Sequence, residues 1–335
     1  MTLVIHAPNI HLGGGRTLLM ELLSSLKQPA VVQLDERFEL SLEPSSNLQV
    51  IKVAPNLIAR FNAERRLKKL CGSEDTLLCF GNLPPLFPSK AKVIVYLQNR
   101  YLISVRSLAG MPWSVGIRIR IERFWLRYFL RNATLLVQTE SMAHEANELF
   151  GCNAHILPFL PQDMLPVLNQ SNRCYDYIYV ASGEPHKNHH RLLQAWVILS
   201  KKGYRPSLYL TLNPQTDAPL CNQIDQLVTK YDLKIINYPV PHGQMFELYR
   251  QCGALIYPSL FESFGLPLLE ARKAGISIVA AERDYVRDVV MPATSFDPES
   301  SLSIARAVIR HQNGQAEPTM PGDGSSFLGR LAELG

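Results

Sequence analysis

The chain lacks the features that mark several broad classes of protein. Its cysteines form no C-x-x-C pair, which argues against a zinc site or a disulfide framework and for reduced thiols in the cytosol. They are Cys71, Cys79, Cys152, Cys174, Cys221 and Cys252. No run of about 18 apolar residues occurs, so we expect no membrane-spanning helix. An apolar strand pattern follows Met1 without a basic leader, and we expect no signal peptide.

Two common nucleotide-binding motifs are also missing. The glycine-rich turn Gly13-Gly14-Gly15 follows the first predicted strand, Leu3–Ala7, but it does not match G-x-G-x-x-G and lacks the Lys-Ser/Thr of a P-loop. The leucine pattern after it predicts a helix from about Leu18 to Leu26. Such a turn lets the backbone approach a ligand closely, although a simple tight turn would have the same sequence.

The composition favours a globular protein of two α/β domains. The chain has 335 residues, of which 47% are hydrophobic and 19% charged, which allows two sizeable cores. Strand and helix patterns alternate, which predicts parallel sheets covered on both faces. Prolines and a polar run predict a boundary near residues 160–172. We therefore expect one domain over residues 1–165 and a second over residues 172–315.

The net charge of +5 comes from the first half of the chain, where residues 1–165 hold 18 Lys and Arg against 13 Asp and Glu. Residues 100–131 contain one acid, Glu122, and seven arginines interleaved with aromatics: Arg100, Arg106, Arg118, Arg120, Arg123, Arg127 and Arg131. A cationic amphipathic helix at an anionic membrane surface would have this pattern, and so would a packed helix with solvated arginines. No nucleic-acid-binding motif accompanies the charge, so we expect no such partner.

The most informative stretch is SLFESFGLPLLEARKAG, residues 259–275. It follows a short buried-strand pattern and predicts a loop and then a helix from about Leu266 to Ala274, with Pro267 in its first turn and Gly275 just past its end. The free N–H groups of a helix N-terminus favour a phosphate. Glu262 lies before that N-terminus and Glu270 after it, which suits a ligand with phosphates in the middle and hydroxyls at both ends. A nucleotide-sugar is such a ligand.

The E-x7-E spacing, with Ser263-Phe264-Gly265-Leu266-Pro267 between the glutamates, resembles the signature of the retaining GT-B glycosyltransferases of the bacterial family 4 group. The resemblance implies an α/β fold of two Rossmann-like domains whose parallel sheets face each other across a cleft. It implies that the first domain binds the acceptor, that the second binds the nucleotide-sugar donor, and that residues 325–335 form a helix that crosses back.

The implied activity is the transfer of a hexose-type sugar, with retention of configuration, to a glycan or lipid-linked anionic acceptor in bacterial cell-surface polysaccharide synthesis. The family needs no metal or other cofactor for this. The implied location is the cytoplasm, with contact to the inner face of the membrane through residues 100–131.

The resemblance also assigns roles to individual residues. Glu270 would bind the ribose hydroxyls, Glu262 would contact the transferred sugar, and Lys187 with the turn Gly13–Gly15 would stabilise the departing diphosphate. The remaining donor contacts would come from the loop before the helix, from the turn that contains Lys187, and from the backbone that holds the base. They are Ser182, Gly183, Asn188, Val240, Ser263, Phe264, Gly265 and Leu266.

Two departures from the family pattern keep other readings open. Ser182 or Gly183 stands where an arginine is usual, and Arg16 or His186 would have to compensate. At the end of a predicted strand, Gln98 or Asn99 replaces a histidine that contacts the sugar, although this segment also reads as a surface loop. Rival functions are therefore an epimerase or hydrolase that uses Glu262 as acid or base, and a catalytically silent partner subunit. The histidines near Lys187 have no carboxylate partners in sequence, so we expect no metal.

Overall fold

The structure, a computed structural model, describes residues 2–40, 48–104, 108, 111–159 and 173–314. The predicted helix over residues 325–335, the predicted boundary at 160–172 and Arg106 lie outside the described residues. Within the described ranges, no helix combines the length and the apolar character that crossing a bilayer requires.

The first half of the chain forms a seven-stranded sheet in which every neighbouring pair is parallel. Its strands are β1 (Leu3–Ala7), β2 (Ala30–Asp35), β3 (Leu48–Val53), β4 (Thr76–Cys79), β5 (Lys92–Tyr96), β6 (Ala133–Val137) and β7 (His155–Ile156). They are ordered β3-β2-β1-β4-β5-β6-β7 across the sheet. The helices are α1 (Gly13–Ser24), α2 (Leu57–Leu70), α3 (Trp113–Phe129) and α4 (Glu140–Phe150), and a 3-10 turn covers Arg100–Leu102.

Two helices of this half differ from the sequence prediction. Helix α1 begins at Gly13 and not at Leu18, so the three glycines form its first turn. The leucine pattern marks only the buried face, and glycine's low helix propensity hid the true start. Helix α2 was not predicted, because only Ala63 and Leu67 of its residues are buried and its apolar stripe is narrow. Its N-terminus is capped by Asn56, whose side chain accepts from the Ala59 amide at 2.8 Å.

The second half forms a six-stranded parallel sheet in the order β10-β9-β8-β11-β12-β13. Its strands are β8 (Tyr175–Tyr179), β9 (Leu208–Leu210), β10 (Ile235–Asn237), β11 (Cys252–Tyr257), β12 (Ser277–Ala281) and β13 (Thr294–Phe296). Its helices are α5 (His189–Lys201), α6 (Ala218–Tyr231), α7 (Met245–Arg250), α8 (Leu266–Lys273), α9 (Asp284–Arg287) and α10 (Ser301–Asn313). Helix α8 lies where the sequence predicts it, with Gly275 just beyond in the left-handed region at φ +70°.

The strand order positions the functional residues. In the first sheet β1 lies between β2 and β4, and in the second β8 lies between β9 and β11, so the order reverses at the β1–β4 and β8–β11 boundaries. Ligands of open α/β sheets bind beyond the carboxyl ends of the strands at such points. The residues that follow β1, β8 and β11 are those that the sequence analysis singled out, namely residues 8–16, 180–188 and 258–266.

His189, the first residue of α5, makes the stability of the second domain depend on pH. Its imidazole is buried against Tyr179 at a ring distance of 4.9 Å, and neither ring nitrogen has a hydrogen-bond partner among the described residues. Burial, and then the charge of Lys187, lowers the pKa of His189 from 6.5 to about 4. The unfolded chain therefore binds this proton more readily than the folded one, and stability falls as the pH drops from about 6.5 to 4.

We expect His189 to contribute about 2 kcal/mol to the loss of unfolding free energy between pH 7 and pH 5. Urea unfolding of wild type and of His189→Phe at both pH values measures this contribution, because the phenyl ring keeps the packing and cannot bind a proton. An equal pH dependence in His189→Phe and wild type would contradict the expectation.

Candidate active site

A cleft of about 660 Å³ lies between the two domains, and both sheets contribute to its lining through the loops at their carboxyl edges. Most of the residues predicted from the sequence line this one cleft. They are Gly13, Gly14, Gly15, Arg16, Gln98, Ser182, Lys187, Glu262, Ser263, Phe264, Gly265, Leu266 and Glu270. Residues that lie as far apart in the chain as Gly13 and Glu270 therefore border a single cavity.

The N-termini of α1 and α8 both open into the cleft. The residues that precede them, Leu12 and Gly265, make no side-chain capping bond. In α8, Pro267 has no backbone N–H and the Leu268 amide donates to the Gly265 carbonyl at 2.9 Å, so its first turn offers a ligand the amide of Leu266, whereas the first N–H groups of α1 have no intrahelical partner. The two termini approach closely, because a Cβ atom on Gly14 would lie 2.9 Å from Cδ1 of Leu266. Two partial positive charges thus face the same small volume, which is an arrangement that attracts an anion such as a diphosphate.

Gly265 sets the direction from which α8 enters the cleft. Its backbone is in the left-handed region, at φ 70° and ψ 58°, where residues with a side chain are strained. A Cβ atom there would also lie 2.9 Å from Cδ1 of Leu268, which is fully buried. The loop between β11 and α8 therefore needs glycine at this position to aim the helix N-terminus at the cleft.

Glu262 and Lys187 form an ion pair in the cleft wall, with 2.7 Å between the Lys187 Nζ and the Glu262 Oε1. The same carboxylate accepts from the Ser259 hydroxyl at 2.7 Å and the Tyr257 hydroxyl at 3.1 Å. Burial, and then the Glu262 charge, raises the pKa of Tyr257 well above 10, so its hydroxyl stays protonated and keeps donating. An ammonium has three hydrogens, so Lys187 can bind Glu262 and a ligand oxygen together.

The turn that carries Lys187 is tied to the loop that carries Glu262. The main-chain carbonyl of His186 accepts from the Leu260 amide at 2.8 Å, and the Ser259 hydroxyl oxygen lies 3.1 Å from the same carbonyl oxygen. The carbonyl of Lys187 accepts from the Tyr179 hydroxyl at 2.7 Å. These bonds fix the lysine and the glutamate relative to each other through main-chain as well as side-chain contacts.

Glu270 is the fifth residue of α8 and lies one turn beyond the helix N-terminus. It lines the cleft, and its Oε2 accepts from the hydroxyl of Tyr249 at 2.9 Å. Burial, and then the Glu270 carboxylate, raises the pKa of Tyr249 well above 10, so this phenol also remains a donor. The bond orients one oxygen of the Glu270 carboxylate, a group whose two oxygens together offer about four acceptor sites.

Four predicted contacts do not line the cleft. Asn188 is buried, and its backbone is in the left-handed region of φ and ψ. Its side chain donates to the carbonyls of Pro258 and Pro298, so it supports the loop after β11 and does not line the cleft. Asn99 caps the following 3-10 turn by accepting from the Tyr101 amide, whereas Gln98 does reach the cleft. Val240 packs on the second core. Gly183 lies against Asp217, and a Cβ atom there would come within 2.8 Å of the Asp217 carboxyl carbon.

A group of cleft residues that follow β9 was not predicted from the sequence: Thr211, Asn213, Thr216 and Asp217. They begin directly after the strand ends at Leu210. Their sequence signal is a polar run directly after a strand pattern, and its place beside β8 is visible only in the folded sheet. Arg16 also lines the cleft and is a second cation there in addition to Lys187.

The arginines between 100 and 131 do not form one cationic surface. Arg123 donates to the carbonyls of Tyr101 at 2.8 Å and Ser104 at 2.7 Å, and Arg100 is buried where the two domains meet. Arg118, Arg120 and Arg127 are exposed on α3. The prediction of a wholly solvent- or membrane-facing arginine set is therefore wrong for Arg100 and Arg123, because local carbonyls and a carboxylate bind them.

Part of the chain matches a known protein family. Residues 166–321, just under half of the chain, match the family "Glycosyl transferases group 1". Over 145 residues, 42% of this chain, the sequence is 28% identical to O-antigen chain mannosyltransferase B of Escherichia coli. That stretch covers 38% of the mannosyltransferase, so the chain spans well under two thirds of this relative.

Solved structures match over nearly the full length. HepE of Anabaena, in complex with UDP and glucose, has a TM-score of 0.68 at 12% identity, covering 93% of this chain and 90% of its own. WaaG, a glycosyltransferase involved in lipopolysaccharide biosynthesis, has a TM-score of 0.65 at 15% identity, covering 93% of this chain and 91% of its own. The predicted fold class, two Rossmann-like domains in the GT-B arrangement, is thereby confirmed.

Proposed function

We propose that this chain, whose residues 166–321 match the family "Glycosyl transferases group 1", moves a hexose-type sugar from a nucleotide-diphosphate-sugar to a glycan or lipid-linked acceptor with retention of configuration. The observation that carries the proposal is the pair of uncapped helix N-termini beside Lys187, with Glu262 and Glu270 lining the same cleft. We place the chain in the family 4 group on the spacing of those two glutamates.

The groups that line the cleft suggest where each part of the nucleotide-sugar donor binds. Its diphosphate lies between the N-termini of α1 and α8, within reach of Lys187. Glu270 binds the ribose hydroxyls, and the polar residues after β9 border the space for the base. Glu262 contacts the sugar to be transferred, and its three protein donors hold its carboxylate in place.

Catalysis in this arrangement is electrostatic. As the sugar leaves, negative charge grows on the diphosphate, and preorganised donors aimed at that charge lower the barrier. Lys187, Arg16 and the two helix N-termini supply those donors from the protein itself, which supports the proposal that no metal is needed. A diphosphate oxygen then accepts the proton of the attacking hydroxyl, as the family resemblance implies.

The acceptor belongs on the first domain, where a second groove of about 780 Å³ lies between α2 and α3. Exposed apolar side chains of both helices line it: Leu57, Ile58, Phe61, Ile117 and Ile121. His6, Asn9 and Gly81 also line it, at the same sheet edge as the donor cleft, and the charges of Arg60 and Arg118 are balanced by Glu64 and Glu122 in the same lining. This combination supports an acceptor with an apolar chain.

Two relatives support the biological setting. One is named as an O-antigen chain mannosyltransferase and another as a lipopolysaccharide glycosyltransferase. We propose that this chain acts in the synthesis of a cell-surface polysaccharide, in the cytoplasm and against the inner face of the membrane.

The function is tested first by thermal shift with UDP-, GDP-, dTDP- and ADP-sugars, since a ligand that binds the folded state raises the melting temperature. The donor that stabilises the protein is then incubated with lipid-linked glycan acceptors, and the anomeric configuration of the product is read by NMR. Retention of configuration, with full activity in EDTA, is the expected result. Release of free sugar without an acceptor would favour the hydrolase, and donor binding without turnover would favour the silent subunit.

Membrane contact is tested through the exposed arginines of α3. Each basic residue near an anionic surface contributes about 1 kcal/mol, which salt screens. Arg118, Arg120 and Arg127, each changed to Gln, should together release the protein from liposomes that contain phosphatidylglycerol, while donor affinity stays the same. Sedimentation at low and high salt measures the release. Arg123 is left unchanged because it braces the turn at Tyr101–Ser104.

The matched control removes the same charge from the second domain by changing Lys202, Lys234 and Arg306, all exposed, to Gln. This variant should sediment with liposomes as wild type does. Equal recovery of the α3 variant and wild type in the pellet would show that these arginines are an ordinary solvated face.

A further inference from the structure

Arg100 has no part in the function proposed above, yet its guanidinium lies where the two domains meet and is only 7% exposed. It donates to both carboxylate oxygens of Glu145 on α4, from Nε at 3.1 Å to each and from Nη2 at 2.6 Å to Oε1. Its Nη1 points to the second domain and donates to the main-chain carbonyl of Glu262 at 3.3 Å. The guanidinium also lies over the ring of Phe261, 4.9 Å from its centre.

The neighbouring residue adds a second contact between the domains. The ring of Tyr101 packs on Phe261 at 4.7 Å and meets His186 edge-on at 5.7 Å. Phe261 precedes Glu262, and His186 precedes Lys187. The turn at residues 100–102 therefore contacts both short segments that carry the ion pair.

This turn is itself braced from within the first domain. Arg123 on α3 holds the carbonyls of Tyr101 and Ser104, and Asn99 caps the start of the turn. A braced turn keeps its side chains at fixed positions relative to the first domain, because its contacts move together with that domain. The brace places Arg100 at a fixed point of the first domain.

We propose that Arg100 is a positioning residue that couples the approach of the two domains to the placement of Glu262 opposite Lys187. The carboxylate of Glu262 is held by three groups of its own domain, whereas its main-chain carbonyl is held by Arg100 of the other. Both the side chain and the main chain of Glu262 are therefore restrained only when the two domains are in contact.

This inference rests on the proposed transfer reaction. A purely structural Arg100–Glu145 ion pair would stabilise the first domain without acting through Glu262. The two cases differ in a double-mutant cycle, because residues that act through one another give non-additive losses.

The experiment uses the full chain with Arg100→Gln and, as a second way to loosen the contact without touching the second domain, Glu145→Gln. A misplacement of about 1 Å at a reacting centre can cost up to about 100-fold, and we expect a loss of about tenfold in kcat for either variant. Nucleotide affinity should stay within about twofold of wild type, since the binding groups are intact. The exposed Arg306, changed to Gln, should behave as wild type.

Two further readouts decide between the cases. Hydrogen exchange of the amides at residues 260–264 should be about tenfold faster in Arg100→Gln, because the loop loses its restraint from the other domain. In a Glu262→Gln background, adding Arg100→Gln should change turnover by less than about twofold. Two results would overturn the inference. One is a tenfold further loss of turnover when Arg100→Gln is added to Glu262→Gln. The other is an Arg100→Gln variant whose hydrogen exchange at residues 260–264 and whose turnover both equal those of wild type. If wild type transfers no sugar while the exchange still changes, the proposed function fails and the positioning contact stands.

Discussion

Lys187→Ala should lower the turnover of sugar transfer by about 100- to 1,000-fold, since removing one donor aimed at charge that develops in the transition state typically has this effect. The Lys187 side chain lies in the cleft wall and is 17% exposed. Lys187 ends the 3-10 turn Pro185–Lys187, which is hydrogen-bonded to the loop that carries Glu262. Steady-state kcat with saturating donor and acceptor measures the loss.

The fold should survive this change. Glu262 loses its cationic partner but keeps the hydroxyls of Ser259 and Tyr257, so its carboxylate is still hydrogen-bonded. Urea unfolding checks stability, and Lys202→Ala, on the exposed end of α5, controls for the loss of a lysine. Activity of Lys187→Ala within about threefold of wild type would show that another cation, such as Arg16 of the cleft lining, serves the diphosphate.

Glu270→Ala should weaken nucleotide binding by about 1.5–3 kcal/mol, because a carboxylate makes charge-assisted hydrogen bonds to paired ribose hydroxyls. This corresponds to a rise in Kd of roughly 10- to 150-fold. Isothermal titration calorimetry with the nucleotide diphosphate measures the change directly and needs no acceptor.

The structure offers a graded companion to this change. Tyr249→Phe removes the hydroxyl that orients Glu270 at 2.9 Å and leaves the carboxylate in place, so its loss of affinity should be smaller. Glu299→Ala, on the exposed surface of the same domain, should bind the nucleotide as wild type does. Unchanged affinity in a folded Glu270→Ala protein would show that the ribose lies elsewhere in the cleft.

Much of the second domain's site was predictable because the signals are local. The strand β11, the loop and α8 follow one another within residues 252–275, and their boundaries come from Pro267, Gly265 and Gly275. Each of these residues acts through its own backbone dihedrals, which depend little on distant parts of the chain. The alternation of strands and helices likewise predicted two parallel sheets from side-chain periodicity alone.

Residues whose roles depend on distant partners were assigned less well. Asn188 and Asn99 lie in the predicted turns, but their side chains do not line the cleft. Asn188 donates to the carbonyls of Pro258 and Pro298, which lie 70 and 110 positions away in the chain, and Asn99 accepts from the Tyr101 amide. The polar residues after β9 reach the cleft only because β9 lies next to β8 in the sheet. Strand order is a property of the folded sheet, and periodicity does not reveal it.

The sequence by itself determined the two α/β domains, the turn chemistry around Glu262 and Glu270, and the presence of Lys187 in a strand-to-helix turn. These follow from short-range patterns of apolar residues, glycine and proline. Only the tertiary structure decided that Gly14 meets Leu266, that Lys187 pairs with Glu262, and that Arg100 turns inward to the loop that carries Glu262. Such contacts join residues 75 or more positions apart, and their energy comes from close packing and paired charges that exist only once the chain has folded.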